Sequence, residues 1–280
     1  MNTNAPDPKS MRKRLRELIK ENRPIGILGA GDALSARQIA AHGQPAVYVG
    51  SYATAASRFG LPDTGLLSAD DLITQARTVV DAVNVPVIAD AEGGFVSVGN
   101  LWKLIHGFET AGVSAIHLED HTGAGKHTDL PQSLRPLDEA AARIRAAVDA
   151  RHDPNFQIIA RTDAYWVHRD LDDCIARLKA FEDAGADMIF PSGVGMEQLA
   201  AIRKATTKPI MIVDIPGLAA TAHQGANLIL FYAFSVMNQY SAMERALASF
   251  NASQAYGGPV AEFESFLGYS EFTARSKRYV

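Results

Sequence analysis

Eight short apolar runs, each followed by a longer polar or helix-type segment, set the tightest limit on what this chain can fold into. They are PIGIL (24–28), AVYVG (46–50), PVIAD (86–90), AIHLE (115–119), QIIAR (157–161), MIFP (188–191), PIMIV (209–213) and NLILF (227–231). Most are apolar nearly throughout rather than alternating, which marks parallel strands covered on both faces. Helices are expected between them. Residues 68–82 open on Ser68 as an N-cap with acids in the first turn, and 137–151 and 171–184 carry apolar residues at helical spacing. Phe108-Glu109-Thr110-Ala111-Gly112 and Phe181-Glu182-Asp183-Ala184-Gly185 repeat one helix-end pattern, a glycine cap followed by a strand. The alternation predicts a (β/α)8 barrel of the TIM type. A doubly wound sheet is the alternative, weakened because no G-x-G-x-x-G follows the first run. The whole of 1–280 reads as a single barrel domain, with an N-terminal helix in 1–23 and extra C-terminal helices in 235–280.

Composition narrows the function classes. The net charge of −4 is mild and the basic residues are scattered, so nucleic acid is not an expected partner. No run approaches the length of a membrane span, and the N-terminal residues have no apolar signal core. The lone cysteine, Cys174, excludes an intramolecular disulfide and a multi-thiolate zinc site, and fits a cytoplasmic setting. It reads as a packing residue, and His42, His106, His152 and His168 fall away from strand ends. There is no G-x-S-x-G elbow.

Barrel enzymes carry their chemistry at the C-terminal ends of the strands. The second run is followed by Ser51 and Tyr52, then Asp63. The third ends in Asp90 with Glu92 beyond it, the fourth in Glu119-Asp120-His121, and the fifth in Arg161-Thr162-Asp163. Acids brought together at neighbouring strand ends repel unless a cation or protons compensate them. A hard divalent ion that keeps several waters is the natural compensator. The bland alternative is a set of helix caps and surface ion pairs. Arg161 leaves a buried strand, so it needs anionic partners; it could bind a carboxylate or an enolate oxygen, or form a structural ion pair. Residues 123–133 (GAGKHTDLPQS) read as a mobile loop, with Lys126 and His127 placed to deliver a proton or contact an anion.

These residues resemble the isocitrate lyase / phosphoenolpyruvate mutase superfamily. The resemblance rests on DALSAR (32–37), YVGSYATAASRFGLPD (48–63), PVIADAEGGF (86–95), AGVSAIHLED (111–120), IIARTDA (158–164) and AGADMIF (184–190). It implies a barrel dependent on Mg²⁺, with Mn²⁺ as the substitute, an enolate-like intermediate, and a homotetramer whose C-terminal helices are exchanged between subunits. By position it implies Asp90 as the direct metal ligand, with Asp63, Glu92 and Glu119 holding metal-bound waters. It places Tyr48, Ser51, Tyr52 and Ala53 at the substrate, the latter three through backbone N–H groups, and gives Arg161 the enolate. The departures bear on the reaction. His127 stands where the lyases carry a catalytic cysteine, Ser192 where a glutamate follows the sixth strand, and Tyr232-Ala233-Phe234 where the oxaloacetate decarboxylase branch has a histidine.

The reading is a Mg²⁺-dependent carbon–carbon lyase acting on a small 2-oxo or 2-hydroxy carboxylate, oxaloacetate-like or methylisocitrate/dimethylmalate-like, through an enolpyruvate-type intermediate. Arg161 would neutralise the growing charge, and His127 is the candidate proton donor. The missing cysteine and glutamate tilt the reaction towards decarboxylation. Phosphonate mutase or hydrolase chemistry is one alternative. A catalytically silent ligand-binding barrel is another.

Overall fold

The computed structural model describes residues 7–21, 23–123 and 126–279. The first six residues of the expected N-terminal segment, and Ala124 and Gly125 of the expected loop, therefore lie outside it. Eight parallel strands form: β1 (Ile25–Gly29), β2 (Val47–Val49), β3 (Val87–Asp90), β4 (Ala115–Glu119), β5 (Gln157–Thr162), β6 (Met188–Pro191), β7 (Met211–Val213) and β8 (Leu228–Phe231). Their order is β6-β5-β4-β3-β2-β1-β8-β7. A parallel bridge between Ile189 and Ile210 joins the last pair, and the Ile189 amide donates to the Pro209 carbonyl at 3.0 Å. The expected barrel therefore forms and nearly closes. Strands β4 and β6 have the bounds read from the sequence, and the rest differ by one or two residues.

Helices α1 (Pro8–Lys20), α2 (Ala33–Ala41), α3 (Ser51–Thr54), α4 (Ala69–Ala82), α5 (Leu101–Thr110), α6 (Leu137–Ala150), α7 (Ala164–His168), α8 (Leu171–Asp183) and α9 (Met196–Ala205) accompany the strands. Ser68 caps α4 in a reciprocal capping box with Asp71. The two repeated glycines end their helices as the sequence predicts. Gly112 has φ +90° and Gly185 φ +95°, a conformation that costs a side-chain-bearing residue more.

The strands alternate between two cores. Val47, Val49, Val87, Ala89, Ile116, Leu118, Ile158 and Ala160 pack outward against helices. Tyr48, Ile88, Ala115, Ile159, Met188, Phe190, Met211 and Leu230 fill the interior. Helix α1 closes the N-terminal mouth. Its Leu15 and Ile19 join the interior cluster. Arg12, itself buried, donates to the carbonyls of Val113 and Glu109 at 3.1 and 2.6 Å and to Asp153 at 3.1 Å. With that end sealed, the C-terminal ends of the strands are where a small molecule can enter.

The chain divides into two compact units, residues 6–236 and a second that contains residues 237–280. The second holds most of α10 (Phe234–Ser253), with α11 (Val260–Leu267) and α12 (Tyr269–Ser276). Its Tyr240, Met243, Leu247 and Phe263 are exposed. Among the described residues, no helix is long and apolar enough to cross a membrane.

Leu15 is fully buried in the interior cluster, so Leu15→Ala leaves a hole under the barrel floor. A loss of about 2–5 kcal/mol in unfolding free energy is expected, read by denaturant titration. A loss below about 0.5 kcal/mol would mean that α1 does not seal the barrel.

Candidate active site

A period of two along a strand points alternate side chains the same way. In β4 this sends Ala115, His117 and Glu119 into the barrel, and in β3 it sends Ile88 and Asp90. Asp90 and Glu119 thus meet at the interior rim, with His117 one step below. Their ligand atoms lie within 4.8 Å of one another, a spacing that could hold a metal ion. The pattern reading missed His117, although the same alternation that brings Glu119 inward identifies it.

Every acid in this cluster is held. Asp90 Oδ1 accepts the Glu92 N–H at 2.8 Å. Its Oδ2 accepts from the Ser51 hydroxyl at 3.0 Å, the Tyr48 hydroxyl at 3.2 Å and the Ser51 N–H at 3.3 Å. Tyr48 O lies 2.8 Å from His117 Nε2, and His117 Nδ1 is buried with no hydrogen-bond partner. Burial lowers the His117 pKa, favouring the neutral ring. One tautomer fits these contacts: His117 Nε2–H donates to Tyr48, whose O–H donates to Asp90. Burial alone would raise Asp90, but nearby positive groups, Lys126 and Arg161 among them, hold it well below the usual carboxylate range. The Ser51 N–H, expected at the substrate, is therefore engaged by Asp90.

Gly93 and Gly94, which follow these acids, sit in a tight turn. Glu92 has φ 49° and its carbonyl accepts the Glu119 N–H at 2.9 Å, so the chain turns tightly over the end of β4. A Cβ on Gly93 would stand 2.7 Å from the His121 carbonyl oxygen. Arg143 of α6 clamps the turn, donating to the carbonyls of Gly93 and Val96 at 2.6 and 2.9 Å.

Lys126, on the segment read as a mobile polar loop, is not at the surface. Its side chain is 1% exposed, with Nζ 2.6 Å from Glu92 and 3.0 Å from Glu119. An ammonium thus sits among the acids expected to gather around a metal. Burial and the carboxylates of Asp90 and Glu119 raise Glu92, while Lys126 opposes them. Burial also opposes the ionisation of Glu119, but Arg161 and Lys126 bring its pKa down to about 2. Both Glu119 oxygens are buried and lack a directed hydrogen bond, although Lys126 and Arg161 stand 3.0 and 3.2 Å away. Buried oxygens paired by charge alone fit a hard cation, so the donor set suits the expected ion.

Arg161 has both partners that its burial demands. Nε and Nη2 bind the two oxygens of Asp163 at 2.7 and 3.1 Å, and Nη1 lies 3.2 Å from Glu119. Asp120 stands behind, accepting from the Thr162 hydroxyl at 2.6 Å, the Asp163 N–H at 2.9 Å and Arg177 at 3.2 Å. The acid after Glu119 is therefore a brace for Arg161 rather than part of the cluster. His127, with φ 58°, brings Nε2 to 3.2 Å from Asp63 Oδ2, which lies 3.1 Å from the Ser51 hydroxyl and shares that hydroxyl's one proton with Asp90.

Above this floor lies a cavity of about 430 Å³, within the range of small-molecule sites. Tyr48, Ser51, Tyr52, Ala53, Asp63, Asp90, Lys126, His127 and Arg161 line it. Glu92 and Glu119 lie behind Lys126. The structure thus brings the sequence-predicted residues to one place. Trp166, whose ring centroid lies 5.2 Å from that of His127, and Asp214 also reach the cavity and had no signal in the run pattern.

The family model for phosphoenolpyruvate phosphomutase matches residues 15–251. The chain belongs to that family. Among curated members, 2,3-dimethylmalate lyase of Eubacterium barkeri is 37% identical over 193 residues, covering 68% of this chain and 66% of that protein. The 2-methylisocitrate lyase of Salmonella typhimurium is 38% identical over 211 residues, covering 75% and 69%. A solved structure of oxaloacetate acetylhydrolase in complex with the product oxalate superposes with a TM-score of 0.87 at 27% identity, covering 98% of this chain and 100% of that one. The superfamily resemblance and the lyase class it implied agree with these relatives of the phosphoenolpyruvate phosphomutase family.

Lys126 is the charge that a divalent cation must compete with. A unit charge about 4 Å away is worth about 4 kcal/mol at an effective dielectric near 20, so Lys126→Met should raise divalent-cation affinity at least about tenfold. Calorimetric titration with Mg²⁺ in the absence of substrate measures this. Unchanged or weaker binding would mean that the ammonium does not occupy the cation's place.

Proposed function

We propose that the chain is a Mg²⁺-dependent carbon–carbon lyase, able to use Mn²⁺, that cleaves a small 2-oxo carboxylate to leave a pyruvate enolate, or a small 2-hydroxy carboxylate to leave pyruvate and the enolate of a second carboxylate. One observation carries this reading: Asp90 lines a cavity of small-molecule size with Lys126 and Arg161, and Glu92 and Glu119 converge on those two cations from behind. When bound, the ion supplies Lewis-acid stabilisation of negative charge and a point for a 2-oxo acid to chelate. Asp90 would be the direct ligand, and Glu92, Glu119 and Asp63 would hold the ion's waters.

The chain's own groups do the rest. Asp163 and Glu119 fix the Arg161 guanidinium, so its charge is aimed before the reaction starts and needs no reorganisation as the enolate forms. The first-turn amides of Tyr52 and Ala53, at the cavity wall, bind the substrate carboxylate. His127 donates the proton that quenches the enolate carbon. Asp63, 3.2 Å from its Nε2, sets the orientation of the ring. If the substrate carries a hydroxyl at the breaking bond, the same His127–Asp63 pair can remove its proton.

A homotetramer with exchanged C-terminal helices belongs to the same proposal. The exposed apolar residues of α10 and α11, Tyr240, Met243, Leu247 and Phe263, support it. Light scattering of the full chain tests it: a tetramer mass is expected, and a monomer mass would remove it.

With Mg²⁺, purified protein should release pyruvate from a member of a panel of oxaloacetate, methylmalates, methylisocitrate and 4-hydroxy-2-oxo monocarboxylates, and EDTA should abolish release. His127→Gln should lower kcat by about 10²–10⁴ with the Mg²⁺ affinity retained. No pyruvate from any member of the panel would sink the reading. A His127→Gln enzyme of full kcat would remove the proton donor alone.

A further inference from the structure

The cavity has two chemically different sectors. The one above β2–β5 holds the acids and their cations. The other lies at the ends of β6, β7 and β8. Its apolar wall is built from Val194, Val213, Ile215 and Leu230, and its polar groups include Ser192 and Asp214. Among the described residues, this second sector brings no lysine, arginine or histidine to the cavity.

The basic residues of the first sector are already committed. Arg161 spends Nε and Nη2 on Asp163 and Nη1 on Glu119. Lys126 is held between Glu92 and Glu119, and His127 faces Asp63. Among the described residues, the acids that line the cavity are Asp63, Asp90 and Asp214, and its only permanent cations are Lys126 and Arg161, which also hold Glu92, Glu119 and Asp163. A divalent ion compensates part of the excess, and a chelating substrate carboxylate uses that compensation. A second carboxylate reaching the far sector would find no cation and would meet Asp214. Desolvating an unpaired charge there is costly, whereas an alkyl group gains from the same wall.

We propose that this far sector selects an uncharged group, so that the substrates are 4-hydroxy-2-oxo monocarboxylates with an alkyl or aryl substituent at C4, beyond the breaking bond, in preference to dicarboxylates. The proposal rests on reading the charged sector as the anchor of a 2-oxo acid. It turns the chemistry from decarboxylation towards retro-aldol cleavage. In a 4-hydroxy-2-oxo acid of this class, a base removes the hydroxyl proton, the C3–C4 bond breaks and its electrons form the pyruvate enolate. The aldehyde leaves, and a proton added at C3 completes pyruvate. No oxidant, reductant or co-reactant is consumed.

The test is equilibrium binding to the full chain with Mg²⁺, read by calorimetry, of 2-oxopentanoate against 2-oxoglutarate. The two share their length and chelating end and differ by a terminal methyl against a carboxylate. 2-Oxopentanoate should bind at least about tenfold more tightly. Asp214→Asn and Val213→Lys, made separately, should each narrow that ratio, and Val213→Lys should narrow it more. Equal or tighter binding of 2-oxoglutarate by the unaltered chain overturns the proposal, as does binding of neither acid. A ratio that neither substitution moves overturns the assignment to this sector. Pyruvate release is scored separately. Selective binding without turnover of any substrate keeps the charge preference and removes the lyase reading, and turnover with a dicarboxylate preference does the reverse.

Discussion

Mutual repulsion among buried carboxylates is the constraint that the rest of this molecule serves. Asp90 and Glu119 are fully buried a few ångströms apart, with Glu92 at their side. Carboxylates so placed stay ionised only if positive charge is fixed among them. In this structure Lys126 and Arg161 supply it, and each is itself buried and tied to two acids. A buried cluster of this kind is weak evidence for stability, since well-packed apolar side chains would serve stability at least as well. It fits the proposed role of holding a doubly charged ion and an electron-rich product.

The barrel makes the cluster possible. Strand alternation sends Asp90, Glu119 and Arg161 to one rim, and the apolar interior below them keeps water out. The cost of the crowding is met locally. The Glu92 turn is clamped by Arg143, and Asp120 braces the Thr162–Asp163 corner that aims Arg161. Opposite, the wall at β6–β8 carries no basic side chain to the cavity among the described residues, so Lys126, His127 and Arg161 all stand on one side of a cavity of about 430 Å³.

Much of this was legible in the sequence, for identifiable reasons. A strand covered on both faces must be apolar in both directions, so QIIAR and PIMIV stand out without any fold in hand. The acids Asp90 and Glu119 end such strands, and strand ends are where polar side chains can emerge. His117 was less visible. A single polar residue inside an apolar strand gives a weak signal, and only the two-residue period shared with Glu119 marks it as inward-facing. Lys126 was placed on the right segment and in the wrong setting. Local composition marks a glycine-rich, polar loop, but whether its lysine faces water or a cluster of acids depends on charges distant in sequence. Asp214 and Trp166 come from segments without a distinctive motif, and only closure of the barrel brings them to the cavity. Nor could a one-dimensional pattern show that Asp163 and Glu119 share one guanidinium, since register fixes that pairing.

Cation binding to the Asp90 carboxylate is the measurement closest to the centre of all this. Mg²⁺ or Mn²⁺ titrated calorimetrically into the full chain should give saturable binding at one site per chain. Asp90→Asn, which keeps the side chain's size and removes its charge, should weaken that binding by about a hundredfold or more while the fold persists by circular dichroism. Equal affinity in the two proteins, or no binding to either, would contradict the cation as the reason these acids are gathered.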